Sequence, residues 1–171
     1  KIWWDEGSPL IVLSERLQKK VQEKLNIPVA LAMRYGSLTL KKGLQELVEQ
    51  GCTEIKTIPL YPQFAMATTE TIDIKVDELV AEHFPQVKIT RTPAFYHRED
   101  YINVLSKSVA ESIDGLDYEH ILFSYHGVPE RHIRKRDVTK GNCKMNGKCC
   151  FKKGSPQHEF CYRHQCEITT I

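Results

Sequence analysis

The sequence has little that would suit a membrane-spanning, exported or nucleic-acid-binding protein. No run approaches the roughly 20 apolar residues that a membrane-spanning helix needs, and no secretory leader is visible. The net charge is only +2 and the 24 Lys and Arg residues are scattered, so we expect no nucleic-acid partner. These features predict a cytoplasmic location.

The sequence also lacks an initiator methionine and a clear terminating signal. It begins at Lys1 and stops at Ile171, directly after a stretch that resembles regular structure. We therefore expect a piece of a longer protein. A length of 171 residues still permits a domain with a substantial core, since chains of this size bury most of their extended surface.

Apolar periodicity alternates between helices and short strands along most of the chain. Helices are predicted to begin at Ser8-Pro9, at Thr39, at Thr69 or Thr71, and near Ile102. Between and after them, apolar runs too short for helices predict buried strands at 29–33, 55–60, 87–92 and 120–125. This alternation is typical of βαβ units, and it predicts an α/β fold with a doubly wound parallel sheet.

Polar residues follow several of these strands, where parallel sheets bind their ligands. Arg34 and Tyr35 follow the first strand, and such a pair could clamp a carboxylate and stack on a flat ring. A surface arginine beside a packed tyrosine is the simpler alternative. His126 follows the last strand and precedes Gly127, so a side chain that titrates near neutral pH would face the ligand crevice. A histidine that merely hydrogen-bonds a loop is the alternative there.

The six cysteines are distributed unevenly. Cys52 stands alone and is most simply a buried core thiol. The other five lie within the last 29 residues, at Cys143, Cys149, Cys150, Cys161 and Cys166. In a reducing cytoplasm, clustered cysteines suggest metal ligation before disulfides. Four thiolates suit a [2Fe–2S] cluster and mixed sets suit zinc, and the spacing alone leaves both open.

The segment 131–154 around the first three of these cysteines is basic and lacks apolar periodicity. Such a segment is not expected to form part of a core. It predicts an inserted loop that needs a ligand to order it.

Four motifs resemble those of the ferrochelatase family and occur in its order and at about its spacing. They are Gly7-Ser8-Pro9-Leu10, Met33-Arg34-Tyr35-Gly36, Pro59-Leu60-Tyr61-Pro62-Gln63 with Thr68-Thr69, and Phe123-Ser124-Tyr125-His126-Gly127-Val128-Pro129. The similarity covers nearly the whole chain. It leaves out the cysteine-rich insertion, residues 137–166, which only some members of the family carry.

The resemblance implies a fold and an activity. Ferrochelatases are lyases of heme biosynthesis that insert Fe²⁺, their substrate, into a porphyrin, here expected to be protoporphyrin IX. They fold as two Rossmann-like halves, so residues 1–92 would belong to the first domain and residues 93–171 would begin the second. Coproporphyrin remains an alternative substrate, and a cobalt or nickel chelatase remains an alternative enzyme.

The resemblance also implies roles for single residues. His126 would be the catalytic residue, as a ligand of the substrate iron or as the acceptor of pyrrole protons. Ser8, Arg34, Tyr35 and Tyr61 would bind the porphyrin. The family pairs its histidine with a glutamate from a later part of the protein, outside these residues, so we expect the fragment alone to be inactive.

Some ferrochelatases carry a [2Fe–2S] cluster, in certain bacterial members within a similar internal segment. The resemblance therefore implies such a cofactor on four of the five clustered cysteines, with Cys143 and Cys161 the safest ligands and Cys166 the most plausible structural thiol. Peripheral association with the inner membrane is compatible with this family. A non-catalytic iron–sulfur or zinc module is the alternative from a different class of protein.

Overall fold

A computed structural model describes residues 3–141, 143–151 and 157–171 of the chain. The chain divides into two compact units, one running to Thr57 and resuming over Ile72–Arg91, the other comprising Ile58–Thr71 and Thr92–Ile171. The elements are α1 Pro9–Gln22, α2 Leu40–Glu49, β1 Glu54–Thr57, a π-helical turn Met66–Glu70, α3 Thr71–His83, β2 Lys88–Arg91, α4 Glu99–Ile113, α5 Glu130–Arg136, α6 Gln157–Phe160 and α7 Tyr162–Thr170.

The first unit contains a parallel pair of strands. β1 pairs with β2 from Glu54 opposite Lys88 to Thr57 opposite Arg91. Parallel neighbours need a crossover connection, and α3 lies between the two strands in the sequence. Buried side chains from α2, α3 and the two strand segments form one core, made of Leu44, Ile55, Leu79, Phe84 and Val87. The predicted α/β class is confirmed here.

Helix α2 begins and ends where its sequence predicts. The Thr39 hydroxyl accepts a hydrogen bond from the backbone N–H of Lys42 at 3.2 Å, which satisfies one of the helix's unpaired donors. Beyond the helix, Gly51 takes a φ of 85°, a conformation that glycine adopts at no steric cost. In the middle of the helix, Gly43 allows a close approach to the segment that contains Ala32. A Cβ added at Gly43 would lie 2.9 Å from the Cβ of Ala32.

Two predicted strands do not form ladders, which corrects the sequence-based prediction. Residues 29–33 run without regular structure as far as an isolated bridge between Met33 and Thr39. Residues 120–125 have no regular secondary structure, and Leu122 is 92% exposed. A strand is stable only where a neighbour pairs with its backbone and covers its side chains. Within the described residues, neither segment has such a neighbour along its length.

Helix α1 is confirmed, but the apolar stripe predicted to face a core is open to solvent. Leu10, Leu13 and Leu17 are all exposed, and Val12 is the buried residue of this helix. Helix α4 is likewise confirmed as a helix and buries none of its residues. Burial requires an opposing layer, and the described part of the chain sets none over these two faces.

The second unit has a small core where the sequence predicts only a loop. Ile133, Phe160 and Cys161 are buried together, with Val128 and Cys143 packed against them. The prediction that segment 131–154 contains no core element is therefore wrong. The sequence shows no helical periodicity of apolar residues here, because α5 has seven residues and a single apolar side chain, Ile133. Residues 142 and 152–156 of the predicted insertion lie outside the described residues.

A helix that crosses a bilayer needs about 20 predominantly apolar residues. Across residues 3–141, 143–151 and 157–171, no helix combines the length and the apolar character needed to cross a membrane.

Replacing Gly43 with Ala tests the packing of α2. In an open helix this change stabilises a protein by about 0.5–1 kcal/mol. Here the new Cβ meets that of Ala32, so we expect the free energy of unfolding to fall by about 1 kcal/mol, measured by urea denaturation. Adding Ala32→Gly should recover part of the loss. A single variant at least as stable as the original chain would contradict the close approach.

Candidate functional site

Three of the predicted site residues lie in the first unit. Ser8 precedes α1, and its side chain makes no capping hydrogen bond to the helix. Arg34 and Tyr35 follow the extended segment 29–33, and the structure brings them together, with the guanidinium carbon 4.8 Å from the centroid of the tyrosine ring. Tyr35 is 74% exposed. The pair therefore places a guanidinium beside an exposed aromatic ring.

His126 lies in the second unit, on an exposed stretch without regular structure. Its predicted position at the end of a strand is wrong, because residues 120–125 find no pairing partner among the described residues. The stretch is tied down in another way. The hydroxyl oxygens of Tyr125 and Thr170 lie 2.9 Å apart, which connects the residue before His126 to α7. After His126 the chain enters α5 at Glu130.

Tyr61 begins a loop of the second unit that runs to Glu70 and is called loop 61–70 below. Tyr61 itself is 47% exposed. Behind it, the backbone N–H of Phe64 donates to the side-chain oxygen of Gln165 at 2.6 Å, and the side-chain amide of Gln63 donates to the Thr169 hydroxyl at 2.9 Å. Helix α7 therefore holds the loop by two side-chain contacts.

The end of loop 61–70 forms the π-helical turn Met66–Glu70, in which the N–H of Glu70 donates to the carbonyl of Ala65 at 3.3 Å. Single π-turns occur frequently at functional sites. Arg136, the last residue of α5, contacts the loop twice. Its guanidinium pairs with the Glu70 carboxylate at 2.5 Å and lies 5.4 Å from the centroid of the Phe64 ring.

A small apolar pocket adjoins the loop within the second unit. It is lined by Phe64, Ala65, Met66, Val128, His132, Ile133, Phe160 and Tyr162. The predicted histidine is not among these residues, and neither is Tyr61. In the structure, His126 and Tyr61 are thus brought into one unit but not into this pocket.

Four cysteines of the second unit influence one another and are called the thiol cluster below. They are Cys143, Cys149, Cys150 and Cys161. Cys150 and Cys161 are each only 2% exposed. Burial, followed by the neighbouring thiols, raises the pKa of Cys143 and Cys161, and raises that of Cys150 to about 12. The Cys149 thiol contributes to all three shifts.

A carboxylate organises the turn that leads into the thiol cluster. Asp137 accepts hydrogen bonds from the backbone N–H groups of Thr139 at 2.9 Å, Gly141 at 3.2 Å and Cys143 at 3.2 Å. Burial alone would raise the pKa of Asp137, but these bonds and one from the Thr139 hydroxyl lower it. The backbone of Cys143 is thereby anchored to Asp137, the first residue after α5.

Two side chains from α7 support the other part of the cluster. Nδ1 of His164 contacts the carbonyl oxygen of Cys150, and burial lowers the pKa of this histidine. Arg163 lies against Gly147, which has a φ of 79°, and an added Cβ there would lie 2.9 Å from a guanidinium nitrogen. The Arg163 charge opposes the burial that raises the pKa of Cys150.

Cys166 differs from the four cluster residues. It lies on α7, where burial, with a smaller contribution from the Cys161 thiol, raises its pKa to about 11, and what distinguishes it is a side-chain hydrogen bond with Tyr162. Cys52 lies in the other unit and is partly buried against the first core, as predicted. Among the described residues, no three donor side chains stand closely enough to hold a metal ion in their present positions. The four thiols are therefore near neighbours rather than a formed ligand set.

Sequence reasoning missed the three residues that hold loop 61–70, which are Gln165, Thr169 and Arg136. Gln165 is fully buried within a helix of low apolar content, and a buried glutamine has no sequence pattern of its own. Arg136 is one of several basic residues in its segment. Asp137 had a weak signal in the sequence, because aspartate side chains commonly accept a hydrogen bond from the backbone N–H two residues on.

Comparison with known proteins gave matches over the whole chain. The family model described as Ferrochelatase matches residues 1–171. A ferrochelatase of Pseudomonas fluorescens (strain Pf0-1) is 42% identical over 166 residues, covering 96% of this chain and 48% of that protein. One from Stutzerimonas stutzeri (strain A1501) is 40% identical with the same coverage, and one from Opitutus terrae is 39% identical over 99% of this chain and 49% of its own length. No solved structure matches.

Alkylation kinetics test the burial of the thiols in the reduced, metal-free protein. Iodoacetamide reacts with the thiolate, and at pH 7 a thiol of pKa about 12 is ionised only to the order of 1 part in 10⁵. We expect Cys150 and Cys166 to react slowly at pH 7, with rates that rise about tenfold per pH unit, measured by peptide mass spectrometry. In urea all six cysteines should react alike. Rapid labelling of native Cys150 at pH 7 would contradict its burial.

Proposed function

The chain belongs to the ferrochelatase family, and from that premise we propose that the intact enzyme inserts Fe²⁺ into a porphyrin to form heme. The observation that carries this proposal is the family match over all 171 residues, which include His126. The chain spans about half the length of the curated relatives it matches, so the activity is proposed for the whole enzyme.

We assign His126 to the chemical step. Two pyrrole N–H protons must leave while Fe²⁺ sheds water and enters the macrocycle. A neutral imidazole can accept a proton or hold the metal at physiological pH. The exposure of His126 makes its ring accessible to a substrate, and the contact between Tyr125 and Thr170 limits the motion of the preceding residue.

We assign porphyrin binding to Ser8, Arg34, Tyr35 and Tyr61. The stacked Arg34–Tyr35 pair offers a cation for a propionate and an aromatic ring for the macrocycle. Tyr61 is half-exposed at the start of loop 61–70, which also carries the apolar residues Phe64, Ala65 and Met66. Protoporphyrin IX is the proposed substrate. The proposed domains are residues 1–92 and residues 93–171, the second including the insertion 137–166.

We further propose that Cys143, Cys149, Cys150 and Cys161 ligate a [2Fe–2S] cluster. The donor chemistry fits, because four thiolates complete such a cluster and the Cys149 thiol is close enough to Cys143, Cys150 and Cys161 to contribute to their raised pKa values. Cys166 is left out because its thiol pairs with Tyr162. When bound, the cluster would supply a rigid cross-link among the four residues. Chelation does not change the oxidation state of iron, so the reaction requires no electron from this group.

The proposed enzyme acts in the cytoplasm, with peripheral association at the inner membrane. The proposed partners are the porphyrin and ferrous iron, and no nucleic acid is involved.

Replacing His126 with Ala in the intact enzyme tests the assignment of the chemical step. We expect the rate of Fe²⁺ insertion into protoporphyrin, followed by heme absorbance, to fall by about 10²–10⁴-fold while the cluster spectrum is retained. His120→Ala, in the same exposed stretch, is the matched control and should leave the rate within about twofold. Full activity of the His126 variant, or insertion of cobalt or nickel into sirohydrochlorin alone, would overturn the assignment.

Single replacements of cysteine by serine test the ligand set. In protein purified without oxygen, we expect about two irons and two sulfides per chain and a reddish-brown absorption spectrum. Cys143→Ser and Cys161→Ser should abolish both. The matched replacements Cys166→Ser and Cys52→Ser should retain them. Zinc in place of iron and sulfide, or loss of the cluster from the Cys166 variant, would show that the proposed cofactor or its ligand set is wrong.

A further inference from the structure

Gln165 joins two parts of the second unit with one side chain. It is fully buried, and its side-chain oxygen accepts from the N–H of Phe64 at 2.6 Å while its side-chain nitrogen donates to the carbonyl of His158 at 2.8 Å. A buried amide that loses one partner leaves an unsatisfied polar group, which is costly. The positions of Phe64 and His158 are therefore coupled through Gln165.

His158 is connected in turn to the thiol cluster. Its ring stacks on that of His164 with centroids 4.2 Å apart and planes 9° apart, and His164 contacts the carbonyl of Cys150. The carbonyl of His158 accepts a second hydrogen bond, from the Tyr96 hydroxyl at 3.1 Å. The route from Cys150 to Phe64 thus runs from the Cys150 carbonyl to the His164 ring, from there to the stacked His158 ring, and from the His158 backbone carbonyl through the Gln165 side chain to the Phe64 N–H.

A second connection starts at the other end of the cysteine segment. Asp137 holds the N–H of Cys143 at 3.2 Å, and its neighbour Arg136 pairs with Glu70 and covers the ring of Phe64. Loop 61–70 is therefore contacted from both sides of the cysteine segment, by Arg136 before it and by Gln165 near its end. Both the Gln165–Phe64 hydrogen bond and the Arg136–Glu70 ion pair join residues more than 60 positions apart in the sequence, so neither is a local contact within a helix.

We propose that Gln165 is a positioning residue that makes the order of loop 61–70 depend on whether the thiol cluster holds its metal group. This inference rests on the proposed function, in which the four thiols bind a cluster and the loop contacts the porphyrin. A bound cluster cross-links Cys143, Cys150 and Cys161, which keeps the His158 carbonyl in reach of Gln165 and so keeps Phe64 in place. Without the cross-link, the segment opens more often and the loop opens with it.

Amide hydrogen exchange in the intact protein tests the coupling without any substitution. The peptide that contains Phe64 is compared in cluster-loaded protein and in protein stripped with ferricyanide and EDTA. We expect its exchange to be about tenfold faster after stripping, as for the loss of one buried hydrogen bond. A peptide from residues 44–49 of α2, in the other unit, is the internal reference and should not change.

Gln165→Met then tests the route. Methionine preserves the length of the side chain but removes both hydrogen bonds. We expect iron, sulfide and the visible spectrum to be retained, the Phe64 peptide to exchange fast in loaded and stripped protein alike, and the porphyrin KM to rise about fivefold with kcat changed less than about twofold. Gln45→Met, the same replacement on the exposed side of α2, is the matched control and should behave as the original protein.

The outcomes separate the two levels of the proposal. If loaded protein contains the cluster but the Phe64 peptide exchanges equally before and after stripping, the coupling is overturned and the cofactor assignment stands. If the protein binds no iron and sulfide, the cofactor assignment fails and the coupling fails with it. A Gln165 variant that keeps the loaded–stripped difference would overturn the assigned route.

Discussion

The second unit depends on satisfying the polar groups of one glutamine that has no contact with water. The side chain of Gln165 needs an acceptor for its N–H groups and a donor for its oxygen, and both must come from the protein. His158 and Phe64 supply them, and the register of α7 follows from their positions. Thr169, one turn further along the helix, repeats the arrangement with Gln63 and the carbonyl of Tyr96. Loss of these partners would leave the buried groups unpaired, which is costly.

Features encoded by neighbouring residues could be predicted from the sequence. Helix α2 is the clearest case, because its Thr39 cap and the positive φ of Gly51 act within a turn of the helix ends. The strand segments 29–33 and 120–125 were not predictable in the same way. Their apolar composition permits a strand, but only a neighbouring strand makes one. The β1–β2 pair succeeds because α3 brings both segments together within one unit.

The candidate site also contains residues that the sequence identifies and residues whose role depends on contacts it does not reveal. His126, Arg34 and Tyr35 stand out because motif and position single out the residues themselves. The distinction of Cys166 from the four other thiols of its segment did not follow from spacing, since it depends on a hydrogen bond with Tyr162, four residues earlier on the same helix. Gln165 was missed because a buried hydrogen-bonding role depends on partners about 100 residues away.

The absence of a side chain at Gly147 determines where one positive charge lies. The Arg163 guanidinium occupies the space that a Cβ would fill, and from there it acts against the burial that raises the pKa of Cys150. A side chain at residue 147 would displace this guanidinium, so a backbone position without a Cβ helps to set the charge that acts on a thiol three residues later.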